Sequence, residues 1–197
     1  MKRTAETSYL KINTAKYEIY KRDAARSLIR FINDNCHIKT AIDAMAGRGI
    51  ITKYLLRINS LEQLILNDLA KDCYLHLCST FGKTEKIKTI LNQDFFSLNL
   101  EKEVDLIVID FNNFTWNKKK QVQSFSAWLN RNRNFFHYLL YSDSFCYSLK
   151  FVKDKTESEK KFQAYLKRIE KSTSMKLINK YLYKNKDCCL ILLENEK

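Results

Sequence analysis

Four apolar runs in the first 110 residues are each followed within three residues by an aspartate, and the first of these ends opens into two glycines. The segment is Ala41-Ile-Asp-Ala-Met-Ala-Gly-Arg-Gly-Ile50, and an amphipathic stretch from Ile51 to Ile58 follows it. Glycine occurs only three times in the chain and proline not at all, so two of the three glycines stand in this one turn. Gly47 and Gly49 permit φ > 0 and a close approach of other groups to the backbone. The pattern predicts a strand that turns tightly into a helix. Asp43 then lies at the strand's carboxyl end, the edge at which open α/β sheets bind ligands.

The rest of the chain sets the turn in an alternating pattern. Apolar residues Tyr17, Tyr20, Ala24, Leu28 and Phe31 recur at three- and four-residue steps, predicting a helix from about Ala15 to Asn33, broken by Asn33-Asp34-Asn35. Strand one is expected over Thr40–Met45 with a helix from Gly49 to Arg57. Strand two is expected over Gln63–Asn67 with a helix from Ala70 to Phe81. Strand three is expected over Ile87–Leu91, with a short connection through Phe95 to Leu100. Strand four, Asp105–Ile109, is a nearly continuous apolar run, as suits a parallel strand buried on both faces. A helix over Gln121–Arg131 leads to strand five, Phe136–Tyr141. A charged helix over Val152–Ser172 precedes two strand-like runs, Met175–Tyr183 and Cys188–Glu194, joined by the polar turn Lys184-Asn-Lys-Asp187. Strand–helix alternation means a parallel sheet with helices on both faces. The expected fold is a doubly wound, Rossmann-like α/β sheet of seven strands, mostly parallel, with an antiparallel C-terminal hairpin strand. Residues 1–13 form a basic arm, and 14–197 a single domain.

The acids follow the strands: Asp43, then Asp68 in Leu64-Ile-Leu-Asn-Asp68, Asp94 in Leu91-Asn-Gln-Asp-Phe-Phe96, and Asp110 in Leu106-Ile-Val-Ile-Asp110. In a parallel sheet these ends share one edge, so four carboxylates line one crevice. An acid about 20 residues past a glycine turn is placed to accept hydrogen bonds from ribose hydroxyls, and Asp68 stands at that distance from Gly47. Asp94 precedes an aromatic pair, an arrangement in which a carboxylate accepts from an adenine amino group and Phe95 or Phe96 packs on the ring. A dinucleotide fingerprint is incomplete, because position 52 is Thr where G-x-G-x-x-G requires Gly.

Over residues 40–194 the chain resembles the class I S-adenosylmethionine-dependent methyltransferases, on the motifs DAMAGRG, LILND, NQDFF and DLIVIDFNNF and the terminal hairpin. DAMAGRG is similar to the family's D-x-F-x-G-x-G variant, with Met45 in place of phenylalanine. That variant is frequent among enzymes that methylate amino groups of RNA or DNA bases. The resemblance implies S-adenosyl-L-methionine as cofactor. Asp43 and the turn Ala44, Met45, Ala46, Gly47 and Gly49 would hold its methionine portion. Asp68, with Leu69 beside it, would hold the ribose, and Asp94 with Phe95 the adenine.

The chain departs from the family after strand four. Amino-group base methyltransferases usually carry Asp/Asn/Ser-Pro-Pro-aromatic there, with the aromatic stacked on a flipped base. This chain has Asp110-Phe-Asn-Asn-Phe114. Asp110, Asn112 and Asn113 are the catalytic candidates, orienting or deprotonating the nucleophile, and Phe111 or Phe114 is placed to stack on a base. Phe114-Thr-Trp-Asn-Lys-Lys-Lys120 interleaves rings and cations beside this loop. Trp116, Lys118, Lys119 and Lys120 therefore join the substrate-binding candidates, a pattern suited to splayed nucleic acid. A 2′-O-ribose reading needs Lys-Asp-Lys-Glu. Lys16 or Lys21, Asp110 and Glu194 supply three of these, but Tyr141-Ser-Asp-Ser144 lacks the second lysine.

Charge favours a polyanionic partner: Lys+Arg 35 against Asp+Glu 22 gives +13. The six cysteines include no C-x-x-C pair and the three histidines complete no ligand cluster, so no metal is expected and the thiols read as reduced. No run is long enough to span a bilayer and the basic N-terminus lacks the apolar core of a signal peptide, which points to the cytoplasm or another reducing compartment and away from a membrane partner. The expected function is methyl transfer to a nucleic acid, at a base nitrogen of RNA or DNA. The alternative is a non-catalytic nucleic-acid-binding module that keeps the fold, or a subunit of a larger assembly.

Overall fold

The apolar runs form seven strands: Thr40–Asp43 (β1), Gln63–Asn67 (β2), Ile87–Leu91 (β3), Val104–Phe111 (β4), Phe136–Asp143 (β5), Lys176–Leu182 (β6) and Cys189–Glu194 (β7). The helices are 25–35 (α1), Ile50–Leu55 (α2), Lys71–Phe81 (α3), Lys119–Asn132 (α4) and Lys155–Thr173 (α5). The computed structural model describes residues 25–111, 119–143, 155–182 and 189–195. Its strands join in one sheet of order β3-β2-β1-β4-β5-β7-β6. The pairs β3–β2, β2–β1, β1–β4 and β4–β5 are parallel, and β7 is antiparallel to both of its neighbours. The mostly parallel, doubly wound sheet with an antiparallel C-terminal strand is therefore present.

Alternation of side chains along each strand divides the core in two. Ala41, Leu64, Leu66, Leu106 and Val108 face one side, where they pack with Leu28 and Ile32 of α1, Leu55 of α2, and Leu77 and Phe81 of α3. Ile42, Ile107, Ile109, Leu139 and Tyr141 face the other, against Phe125 and Trp128 of α4 and Phe162 and Ile169 of α5. Both faces of the inner strands are covered, which explains the unbroken apolar run in β4.

Several boundaries differ from the sequence reading. Strand one ends at Asp43, not Met45, because Ala44 and Met45 already belong to the turn. The helix expected to break at Asn33-Asp34-Asn35 continues through 35, and Asn35 Nδ2 donates to the Phe31 carbonyl at 2.9 Å. A polar triplet thus finishes the helix instead of interrupting it. The connection from Phe95 opens with a 3₁₀ turn, Phe95–Ser97.

At the amino end of the sheet one carboxylate fixes the central pair. Asp105 Oδ2 accepts from the backbone N–H of Lys39 and of Thr40, both at 2.8 Å, and from Thr40 Oγ1 at 3.2 Å. This sets β1 beside β4, with Asp43 aligned on Val108, so β4 projects beyond the end of β1 to Phe111. From β1 the chain builds outward to β2 and β3, and from β4 it builds the opposite way. The crevice between the carboxyl ends of β1 and β4 is the switch point at which such sheets hold ligands.

Candidate functional site at the carboxyl edge of the sheet

The glycine turn is held from below by a buried pair. Asp43 and Thr52 are both 0% exposed, and Thr52 Oγ1 donates to Asp43 Oδ2 at 2.6 Å. The end of β1 is thereby tied to α2. Thr52 is the residue that breaks the dinucleotide fingerprint, and here its hydroxyl holds the buried carboxylate.

The two glycines serve different needs. Both adopt left-handed backbone, with φ of 56° at Gly47 and 75° at Gly49. At Gly49 a Cβ would fall 2.3 Å from Phe81 Cε2 and 3.3 Å from Leu77 Cδ2, so this position has no space because α3 packs on it. At Gly47 a Cβ would meet nothing within 4 Å among the described residues. The first glycine of the turn thus borders open space, and the second is an internal packing contact.

Asp68 closes the turn across 21 residues: Gly47 N–H donates to its Oδ2 at 2.7 Å, and Ala70 N–H donates to Oδ1 at 2.8 Å. The carboxylate is half-buried, and a carboxylate with two bonds retains further lone pairs. Leu69, next to it, is 66% exposed. Further backbone groups of the turn are engaged: Ala44 N–H donates to Val108 O and Ala46 N–H to Asn67 O, each at 2.9 Å.

Two asparagines that sequence reading did not single out join the acid-bearing loops. Asn67 is fully buried at the end of β2. Its Nδ2 donates to Ala44 O at 2.9 Å and to Gln93 O at 3.1 Å, and its Oδ1 accepts from Gln93 N–H at 3.1 Å. Asn92 Nδ2 donates to Asp68 O at 2.7 Å and to Leu69 O at 3.0 Å. The loops after β1, β2 and β3 therefore form one hydrogen-bonded unit with Asn67 at its centre. The available signal was a polar residue closing the apolar Leu64-Ile-Leu66 run. We expect Asn67→Ala, which removes one buried and two part-buried bonds, to cost about 3 kcal/mol. Thermal denaturation of the variant measures it, and an unchanged midpoint would mean the loops are held by other contacts.

Asp94 is exposed, and its Oδ1 accepts from Phe96 N–H at 3.1 Å, capping the 3₁₀ turn. Of the two rings expected beside the adenine, Phe95 turns inward and Phe96 lies nearer the surface. Phe95 is 3% exposed and its ring lies 4.4 Å from that of Trp128, within the α4 side of the core. Phe96, half-buried, contacts it edge-on at 5.2 Å and is the more accessible ring of the pair.

Asp110 is 8% exposed near the end of β4, in register with the buried Ser142 of β5. The structure brings Asp43, Asp68, Asp94 and Asp110 to the same edge of the sheet, as the sequence implied. Asn112, Asn113, Phe114, Trp116 and Lys118 lie outside the described residues. Phe111, Lys119 and Lys120 are placed by their backbone alone, at the end of β4 and the start of α4. Cys73, in the first turn of α3, has its thiol pushed above the usual range, first by burial and then by the nearby Asp68 carboxylate. It stays protonated at neutral pH and is not a thiolate nucleophile beside the crevice.

Together, the strand order, the antiparallel seventh strand and the glycine turn at the switch point give the chain the class I methyltransferase fold. No family model matches the sequence, and no curated protein matches it by sequence. Solved structures do match in fold. An S-adenosylmethionine-dependent methyltransferase from Clostridium acetobutylicum superposes with a TM-score of 0.66 at 14% identity, covering 97% of this chain and 99% of that one. The N-methyltransferase NodS from Bradyrhizobium japonicum, in complex with S-adenosyl-L-homocysteine, gives 0.62 at 10% identity, covering 90% and 88%. A putative RNA methyltransferase from Pyrococcus horikoshii gives 0.59 at 12% identity, covering 87% and 83%.

Proposed function

We propose that the protein is an S-adenosylmethionine-dependent methyltransferase whose acceptor is a base nitrogen of RNA or DNA. The observation that carries the cofactor assignment is the bridge from Gly47 to Asp68 at the switch point. It joins the loops after β1 and β2 and presents a left-handed glycine, a half-buried carboxylate with lone pairs to spare and an exposed leucine side by side. That set fits a nucleoside: the carboxylate accepts from ribose hydroxyls, and Leu69 supplies apolar surface beside the base. The cofactor, when bound, supplies a methyl group on a sulfonium sulfur.

The chain's own part is to hold and orient. Gly47 leaves room for the ligand, Asp68 and Asp94 accept hydrogen bonds from its hydroxyl and amino groups, and Asp43 acts from beneath through Thr52. Asp110 stands on the extension of β4 that passes the end of β1, where an acceptor entering from the β4–β5 side would lie. Its carboxylate orients the nucleophile. Alignment of this kind, more than acid–base chemistry, supplies the rate for a direct displacement. The nucleic-acid acceptor is supported by the +13 charge and by the ring- and lysine-bearing segment Phe114–Lys120. One of the structural neighbours, the putative RNA methyltransferase, points the same way.

The test is mass spectrometry of nucleosides after incubating the protein and S-adenosylmethionine with total RNA and, separately, total DNA. One methylated nucleoside should appear in one of the two pools and vanish with Asp110→Ala. Cofactor binding without methylation in either pool would favour the non-catalytic module that the departure at Asp110-Phe-Asn-Asn-Phe114 allows.

A further inference from the structure

Helix α5 buries Phe162, Tyr165, Leu166 and Ile169 on one face. Opposite that face, at steps of three and four residues, stand Lys160, Ala164, Lys167 and Lys171, with the three lysines exposed. No acid interrupts this outermost line. The acids of the helix are otherwise occupied: Glu157 pairs with Lys161 at 2.6 Å, Glu159 accepts from Gln163 at 2.6 Å, and Glu170 accepts from the Leu177 N–H at 2.9 Å. Among the described residues, Lys160, Lys167 and Lys171 have no carboxylate within ion-pair distance.

A merely solvated helix face gains from Glu–Lys pairs spaced four apart, whereas like charges at that spacing destabilise it. Lys167 and Lys171 are such a like-charged pair. The topology gives the line a direction. The chain reaches α5 from β5, which ends at the site edge, and leaves it for β6, which begins at the opposite edge. Lys160 is thus at the site-facing end and Lys171 at the far end, about 16 Å away at 1.5 Å per residue.

We propose that this line on α5 is a docking track for the phosphodiester backbone of the nucleic-acid substrate, leading a strand toward the ends of β4 and β5. The proposal rests on the nucleic-acid acceptor proposed for the site. Its spacing and direction suit a positive surface that follows a backbone without reading sequence.

The test uses the full chain and a fluorescent single-stranded RNA 20-mer, with salt titrations of affinity for three proteins: wild type, Lys160→Ala/Lys167→Ala/Lys171→Ala, and the charge-matched control Lys83→Ala/Lys88→Ala/Lys102→Ala. All six lysines are exposed, and the control set lies around β3 and in the loop before β4. Alanine is favourable at exposed helix positions, so the α5 variant should fold, and circular dichroism checks that it does. Each phosphate neutralised by a lysine adds about 0.7 to the slope of log K against log salt for a single strand, so the α5 variant's slope should be shallower by about 2. Its affinity at 0.1 M salt should fall at least about tenfold, on the order expected for several phosphate contacts. The control should keep the wild-type slope. Equal effects of the two triples, or wild-type binding of polyglutamate as strong as that of RNA, would overturn the track and leave the nucleic-acid reading standing. Wild-type protein that binds neither the RNA nor a duplex DNA of equal length would overturn both.

Discussion

Replacing Gly49 with alanine should lower the thermal midpoint by about 10 °C. Two costs add. A left-handed backbone at an alanine costs about 1–2 kcal/mol, and a Cβ placed 2.3 Å from Phe81 Cε2 overpacks a ring that is 4% exposed, for about 1–3 kcal/mol more. In a domain of this size each kcal/mol moves the midpoint by about 2–4 °C. The ring cannot swing away, because it is part of the core beneath α2 and α3. Adding Phe81→Leu should relieve the overlap and return part of the stability, a non-additivity that a double-mutant cycle measures. Gly47→Ala carries only the backbone cost, since its Cβ meets nothing within 4 Å among the described residues. If Gly49→Ala and Gly47→Ala melted together, the assignment of one glycine to packing and the other to the ligand side would fail.

The second large effect is expected at Asp68. Asp68→Ala should weaken S-adenosyl-L-homocysteine binding at least about 100-fold, which is about 2.7 kcal/mol at room temperature. The carboxylate's hydrogen bonds to ribose hydroxyls would be charge-assisted and worth about 1.5–3 kcal/mol each. The same substitution frees the Gly47 and Ala70 N–H groups, which now donate to it at 2.7 and 2.8 Å. Stability should therefore fall too, though less than for Gly49→Ala, because the site is only half-buried and water can replace the missing acceptor. Calorimetric titration gives the affinity, and a thermal scan of the same sample gives the stability. A variant that loses stability but keeps its affinity would make Asp68 a strut for the turn and not a ligand contact.

Much of this arrangement was legible in the sequence, for a physical reason. Strand ends in a parallel sheet share an edge, so acids that close successive apolar runs must converge. Gln63–Asn67 and Ile87–Leu91 have the bounds their apolar patterns imply. Strand four is longer than its apolar run because Val104, Asp110 and Phe111 continue the pairing with β5. Pattern reading ends a strand where hydrophobicity ends, whereas hydrogen bonding does not. The glycine turn was legible because only glycine tolerates the left-handed backbone without cost.

The struts were not legible. Thr52 looked like a defect in a nucleotide fingerprint, and Asn67 like the last polar residue of a strand. Their importance comes from partners 9 to 26 residues away, which the sequence does not identify before the sheet is assembled. Phe95 and Phe96 illustrate the same limit. Adjacent rings necessarily diverge, and the choice of Phe95 for the core follows from Trp128 on α4, a contact between distant segments.

The cofactor assignment depends on the crevice at the carboxyl ends of β1 and β2, where Gly47 meets Asp68, binding the nucleoside of S-adenosylmethionine. Isothermal titration of S-adenosyl-L-homocysteine into the full chain decides it, with Gly47→Ala run alongside. One site per chain in the micromolar range is expected for wild type. Gly47→Ala should lose binding while remaining folded, because its new methyl group would point into the open space the ligand needs. No heat from folded wild-type protein, or equal affinity in the two proteins, would show that the crevice is not the cofactor site.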